Sequence, residues 1–179
     1  TITGCDKDAF GALIIPTNIE GKRVTTIGYG AFDRCPSLTS ITIPDGVTNI
    51  GSHAFSGCTS LTSITIPDSV TNIGALAFRI CTSLTSITIP DGVTSIDRAA
   101  FWDCASLTSI KIPDSVTSIG RSAFIGCTSL TTIEVSARNA DYTIVNGVLF
   151  NKEKTVLHTY PAGKTGDKYN IPERVAYME

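Results

Sequence analysis

The sequence predicts a repeat solenoid, mainly β, in which every coil contributes one parallel strand. Three observations predict it. The phrase Phe-x-x-Cys-x-Ser-Leu-Thr-x-Ile is written five times, with its Leu at Leu38, Leu61, Leu84, Leu107 and Leu130, each 23 residues after the last. A fixed period of this length marks supersecondary units that bury their apolar faces only by stacking. Within each unit an apolar pair two residues apart, such as Ile64 and Ile66, has the period of a strand and sends both side chains to one face. Finally Pro44, Pro67, Pro90 and Pro113, each followed by Asp and then Gly or Ser, end that strand in a turn, because Pro presets φ and has no N–H for a continuing ladder.

The elements follow in chain order within one elongated domain, residues 1–179. Residues 1–37 form an atypical first coil: Leu13, Ile15 and Pro16 match the repeat phrase, and five extra residues around positions 19–23 make a longer loop. Residues 38–136 are the regular coils. Their strands pair in parallel at about 4.8 Å, so five coils stack to a length on the order of 25 Å. Residues 137–169 are a small hairpin or meander insertion. In the segment 142–150, Asn146-Gly147 between apolar runs is a hairpin signal, and residues 155–160 supply a third strand. At 170–179 a further coil begins with Ile171-Pro172, and both termini read as interior text, so the sequence is expected to be a piece of a longer protein.

Composition narrows the partners. The 14 basic and 16 acidic residues are interspersed, for a net charge of −2. Nucleic acid and anionic membrane surfaces reward concentrated positive patches, and none is present. No apolar run reaches the roughly 18 residues of a bilayer-spanning helix, so no direct membrane insertion is expected.

The phrase Leu-x-x-Ile-x-Ile-Pro-x-x-Val-x-x-Ile-Gly-x-x-Ala-Phe-x-x-Cys, as at residues 38–58, resembles the leucine-rich repeats of the BspA-like bacterial surface proteins. The likeness covers nearly the whole chain. It includes the atypical first coil, ending in Val24-Thr-Thr-Ile-Gly, and the Asn-Gly-Val-Leu-Phe hairpin. It departs from the common leucine-rich repeat in lacking the Asn that ladders the turn after the strand, and Asp97 stands where other copies have Gly51, Gly74 and Gly120. The resemblance implies a leucine-rich repeat right-handed superhelix and a non-enzymatic, extracellular or cell-surface module. It also implies adhesion to a protein or glycan ligand, such as a host matrix or cell-surface protein. The motif fixes no binding residue.

Weighing the columns one at a time separates core from candidate surface. Cys35, Cys58, Cys81, Cys104 and Cys127 recur once per coil, without the close pairs of zinc sites or the irregular spacing of disulfide scaffolds, and read as packing. Asp45, Asp68, Asp91 and Asp114 admit a calcium reading, but nothing beside them brings further oxygen ligands, and an Asx-type turn accounts for them. Catalysis finds no support: His53 and His158 are the two imidazoles, the serines are repeat members, residues 120–124 lack the last Gly of a nucleophile elbow, and no phosphate-cradling loop is present. No cofactor or metal is expected.

The candidate binding surface is the outward face of the strands: Ser40, Thr42, Ser63, Thr65, Ser86, Thr88, Ser109, Lys111, Thr132 and Glu134. Stacked strands give the largest continuous surface such an array offers. An alternative face carries Leu76, Ile80, Trp102 and Ile125, apolar residues at phases outside the core. Two other readings of the whole compete with a binding scaffold. One is a structural spacer or stalk that projects another domain; the other is a Ser/Thr array that orders water against ice, which Lys111 and Glu134 interrupt.

Overall fold

The computed structural model describes residues 1–166 and 168–179, so position 167 of the expected insertion lies outside the described residues. The fold is a parallel β-solenoid of about seven turns without a helix among the described residues. Its first coil carries β1 (Gly11–Ile14), a hairpin of β2 (Asn18–Ile19) and β3 (Lys22–Arg23), and β4 (Thr26–Ile27). Each of the next four coils carries a longer and a shorter strand. These are β5 (Leu38–Thr42) with β6 (Asn49–Ile50), β7 (Ser63–Thr65) with β8 (Asn72–Ile73), β9 (Ser86–Thr88) with β10 (Ser95–Ile96), and β11 (Ser109–Ile112) with β12 (Ser118–Ile119). β13 (Thr132–Val135) completes the long strands.

The coil is therefore a three-sided prism. On the first side the long strands pair in register, Ile41 beside Ile64 and Ile110 beside both Ile87 and Ile133, in two parts, β1-β5-β7 and β9-β11-β13. On the second side β4, β6, β8, β10 and β12 form one continuous parallel sheet. A second strand per coil is an addition to the expected one. Turns make the third side, and there the N–H groups of Phe32, Phe55, Phe78 and Phe101 donate to the carbonyls of Ala54, Ala77, Ala100 and Ala123 in the next coil at 2.7–2.9 Å.

Inside, like stacks on like. The rings of Phe32, Phe55, Phe78, Phe101 and Phe124 lie 5.3–5.7 Å apart with planes within 12° of parallel. At that separation the rings are offset-stacked, a favoured aromatic geometry. The carbonyls of Phe55, Phe78 and Phe101 each accept the N–H of the Cys three residues on, at 3.1–3.3 Å, and have room for a second donor from the next coil. The Cys column supplies it: Cys58, Cys81, Cys104 and Cys127 donate Sγ–H to Phe32, Phe55, Phe78 and Phe101 at 3.1–3.2 Å. All six cysteines are free, and the five of the column are buried. Burial pushes the thiols of Cys58 and Cys127 up to about 12, and those of Cys81 and Cys104 well above the ordinary range.

Tight stacking constrains the backbone. A Cβ on Gly74 would lie 2.7 Å from the backbone of Gly51, so Gly suits that corner of the second sheet, although Asp97 takes the same position one coil on. On the turn side His53, Leu76, Ala99 and Ser122 occupy one left-handed column (φ 55–61°), and Arg34, Ile80 and Asp103 occupy another with Gly57 and Gly126. Left-handed Ile80, at φ 60°, is β-branched and strained.

Two local expectations are corrected. The longer loop of the first coil is a tight hairpin, with Glu20 (φ 50°) and Gly21 (φ 74°) as a two-residue turn between Asn18–Arg23 and Ile19–Lys22 pairs. The Asp column does not cap its turns: the four carboxylates are exposed and make no side-chain hydrogen bond among the described residues, while Val N–H to Pro C=O bonds of 3.0–3.4 Å close the corner. The residue after Asp does the polar work. Ser69 donates to the Val47 carbonyl at 2.7 Å and accepts the Gly46 N–H, and Ser115 donates to the Val93 carbonyl at 2.6 Å.

The C-terminal hairpin is roughly as expected, and its sheet takes in a fourth strand from the segment expected to begin a further coil. β14 (Tyr142–Val145) and β15 (Val148–Asn151) form a hairpin through Asn146 and Gly147, both at positive φ, as a type I′ turn requires. β16 (Val156–Thr159) adds antiparallel and β17 (Tyr177–Met178) adds parallel to it. Buried Asn139 joins meander to solenoid, donating to the Pro113 and Val116 carbonyls (2.7 and 3.0 Å) and accepting from the N–H of Asp141 and Tyr142. Tyr142 Oη then accepts the Ile119 N–H at 2.7 Å.

Candidate binding surface

Strand alternation turns the expected side chains outward: the inner Ile of each pair is buried, and its neighbours face solvent. Thr42, Ser63, Thr65, Ser86, Thr88, Ser109, Lys111, Thr132 and Glu134 are exposed and Ser40 is half-buried. Pairing brings them into rows, Ser40 beside Ser63, Thr42 beside Thr65, Ser86–Ser109–Thr132, and Thr88–Lys111–Glu134. β1 extends the surface in a way the repeat phrase does not reveal. Ala12 and Ile14 lie in register with Ser40 and Thr42, and Ile14 is 75% exposed, as is Phe10 at 82%.

Hydrogen bonding divides the hydroxyls of the molecule into two classes. On the second side, Thr48, Thr71, Thr94 and Thr117 each donate Oγ1–H to the Thr carbonyl one coil earlier at 3.1–3.4 Å, so that donor is spent internally. On the first side Thr62, Thr108 and Thr131 do the same, while the outward hydroxyls of Ser40, Thr42, Ser63, Thr65, Ser86, Thr88 and Ser109 have no hydrogen-bond partner among the described residues. They keep one donor and two acceptors each for a ligand. A shallow depression lies among them, lined by Ser86, Thr88, Ser109 and Lys111 together with Asp91 and Pro113. Lys111 sits directly beside Glu134, yet among the described residues no ion pair joins them, and both charges stay available to solvent.

The alternative apolar face is dispersed. Ile125 is exposed at 48%, while Leu76 and Ile80 in one coil and Trp102 in the next are half-buried in the turns. Neither imidazole assembles a reactive group. His53 packs on the Tyr29 ring at 5.4 Å, and His158 pairs through Nδ1 with Glu179 at 2.8 Å beside the Tyr142 ring. Ser122 lines the same hollow as His158, but no hydrogen bond joins them. Among the described residues no three His, Cys, Asp or Glu side chains gather as a metal site, and no helix is long and apolar enough to cross a membrane.

Six copies of the BspA type leucine-rich repeat region match residues 23–155. No curated protein sequence matches the chain. Among solved structures it is similar to a leucine-rich repeat protein of T. pallidum, at 38% identity and a TM-score of 0.67 over 68% of this chain and 57% of that one. A leucine-rich cell surface protein of Faecalibacterium prausnitzii is 29% identical, with a TM-score of 0.66 over 94% of this chain and 59% of that one. The pneumococcal vaccine antigen PcpA is 26% identical, with a TM-score of 0.73 over 96% of this chain and 51% of that one. The chain thus spans between half and three-fifths of the length of these three proteins. With the 23-residue period, the stacked Phe and Cys columns and a family match over most of its length, the chain belongs to the BspA-type leucine-rich repeat family.

Proposed function

We propose that this chain is a non-enzymatic binding scaffold of a bacterial surface or secreted protein, engaging a protein or glycan ligand through the long-strand side of the prism. One observation carries the reading. The outward hydroxyls of that side's strands, from Ser40 to Ser109, have no internal partner among the described residues, whereas the Thr columns that precede the strands, Thr62 and Thr108 on this side and Thr71 and Thr94 on the second, spend their donors on the neighbouring coil. Free hydroxyls in rows one strand apart, with Lys111 and Glu134 at one end, suit an extended polar ligand lying across the strands. The similarity to a cell surface protein and to a vaccine antigen supports surface display and adhesion to a host matrix or cell-surface protein.

The test is capture of host matrix and cell-surface proteins by the isolated chain, followed by affinity measurement for Lys111→Glu, Glu134→Lys and the double reversal. Loss of affinity of about tenfold in the single variants, matching 1–2 kcal/mol for a contacted charge, is expected. Unchanged affinity in all three variants moves the site to another side. Failure to capture any partner, with another region of the longer protein binding instead, leaves the chain a spacer.

A further inference from the structure

We propose that the long-strand sheet contains a hinge, placed between β7 and β9. The strands lie side by side there, but the backbone ladder that joins β5 to β7 and β9 to β11 is missing. Side chains repeat the interruption. Thr62, Thr108 and Thr131 each donate Oγ1–H to the Thr carbonyl one coil earlier, at 3.0, 3.2 and 3.3 Å, whereas Thr85 makes no such bond to Thr62. The corner after the strand is tied at neighbouring junctions by Ser69, by Ser115 and by Asn139. At this junction the position is Gly92, which has no hydroxyl to reach back with.

The core registers the same opening. Ile64 and Ile66 are 9% exposed and Ile87 and Ile89 are 7% and 5%, against 1–2% for Ile41 and Ile43 and 0–2% for Ile110 and Ile112. The other two sides stay closed. β8 pairs with β10, and the Phe78 N–H donates to Ala100 at 2.8 Å. A joint held on two sides and released on the third bends by opening the released side. Its two leaves are β1-β5-β7 and β9-β11-β13, and the depression with Lys111 belongs to the second. The hinge is a property of the free chain and stands whether or not the sheet is the binding side.

Residue-resolved hydrogen exchange tests it. The amides of β7 and β9 that face each other should exchange at least about tenfold faster than the amides between β9 and β11, since local opening without ladder bonds costs little. A second measurement uses spin labels at Thr42→Cys with Lys111→Cys, across the joint, and at Thr88→Cys with Glu134→Cys, within one leaf. The first pair should give the broader distance distribution. Equal protection of both sets of amides, or equally narrow distributions for both pairs, overturns the hinge.

Discussion

The regular solenoid and the C-terminal meander solve the same problem, burying apolar side chains with strands and turns, by opposite means. In the solenoid each core residue is one of a column, and its neighbours above and below are the same residue type one coil away. In the meander a small cluster of Val148, Phe150 and Leu157 is buried on its own, while Leu149 and Tyr142 pack into the solenoid core and the side chains of Asn139 and Tyr142 hydrogen-bond to it. Repetition spreads an interaction over many coils, whereas the meander holds to the solenoid through a few residues, among them Asn139, Tyr142 and Leu149. A change in a column should therefore be felt by the whole prism, and a change at Asn139 by the meander.

Phe78→Ala is the strongest way to break that contrast. Its ring is fully buried between Phe55 and Phe101, and truncation leaves a cavity lined by two rings, costing about 3–5 kcal/mol. Denaturant unfolding followed by the fluorescence of Trp102, the one tryptophan, should show the loss as a lower midpoint of a single transition. A loss below about 1 kcal/mol would mean the stack repacks freely. Asn139→Ala should cost about 2–4 kcal/mol, because it removes the partners of two carbonyls and two N–H groups at once. Its signature is selective: exchange of the β14–β16 amides rises while the Trp102 transition moves little. Equal destabilisation of both probes would show that meander and solenoid unfold as one unit.

The Cys column sharpens the contrast through pH. Folding raises the thiol pKa of Cys58 and Cys127 from about 9 to about 12, so each stays protonated in the fold where the unfolded chain has lost its proton. Their stability contribution is whole below pH 9. It falls between pH 9 and 12 by about 1.4 kcal/mol per pH unit for each thiol, as the unfolded state alone releases protons. Melting temperature should therefore drop steeply above pH 9 in the wild type and less steeply in Cys58→Ser. A flat alkaline profile would contradict the burial of the column. The smallest effect expected is a gain: Ile80→Gly relieves a β-branched residue at φ 60° in a half-buried turn, raising stability by up to about 1 kcal/mol in thermal unfolding. A loss would mean that the Ile80 side chain contributes more to packing than its backbone costs.

Which parts of this molecule can be read without coordinates follows from how far each interaction reaches. Leu, Ile, Val, Phe and Cys at a 23-residue spacing name their own neighbours, so core columns and outward rows are legible from the period alone. The second sheet is not. Two residues such as Asn72 and Ile73 offer no alternation to recognise. The Glu20-Gly21 turn escapes notice because Glu seldom adopts positive φ, and the Asp column suggests turn caps that the following Ser residues supply instead. Asn139 looks like an ordinary polar residue until the coil 26 residues earlier is placed beside it. For the candidate surface, position is legible and capacity is not: both Thr88, inside β9, and Thr94, just before β10, face outward, but only Thr94 donates to the preceding coil, to the Thr71 carbonyl.

The most direct test of the account compares the two sheets as binding surfaces for one captured matrix or cell-surface protein. Arg replaces Thr88 on the long-strand side in one variant and Thr94 on the second side in another, with folding of each checked by its melting temperature. The account predicts that Thr88→Arg lowers affinity at least about tenfold while Thr94→Arg leaves it within about twofold. Loss of affinity confined to Thr94→Arg would contradict it.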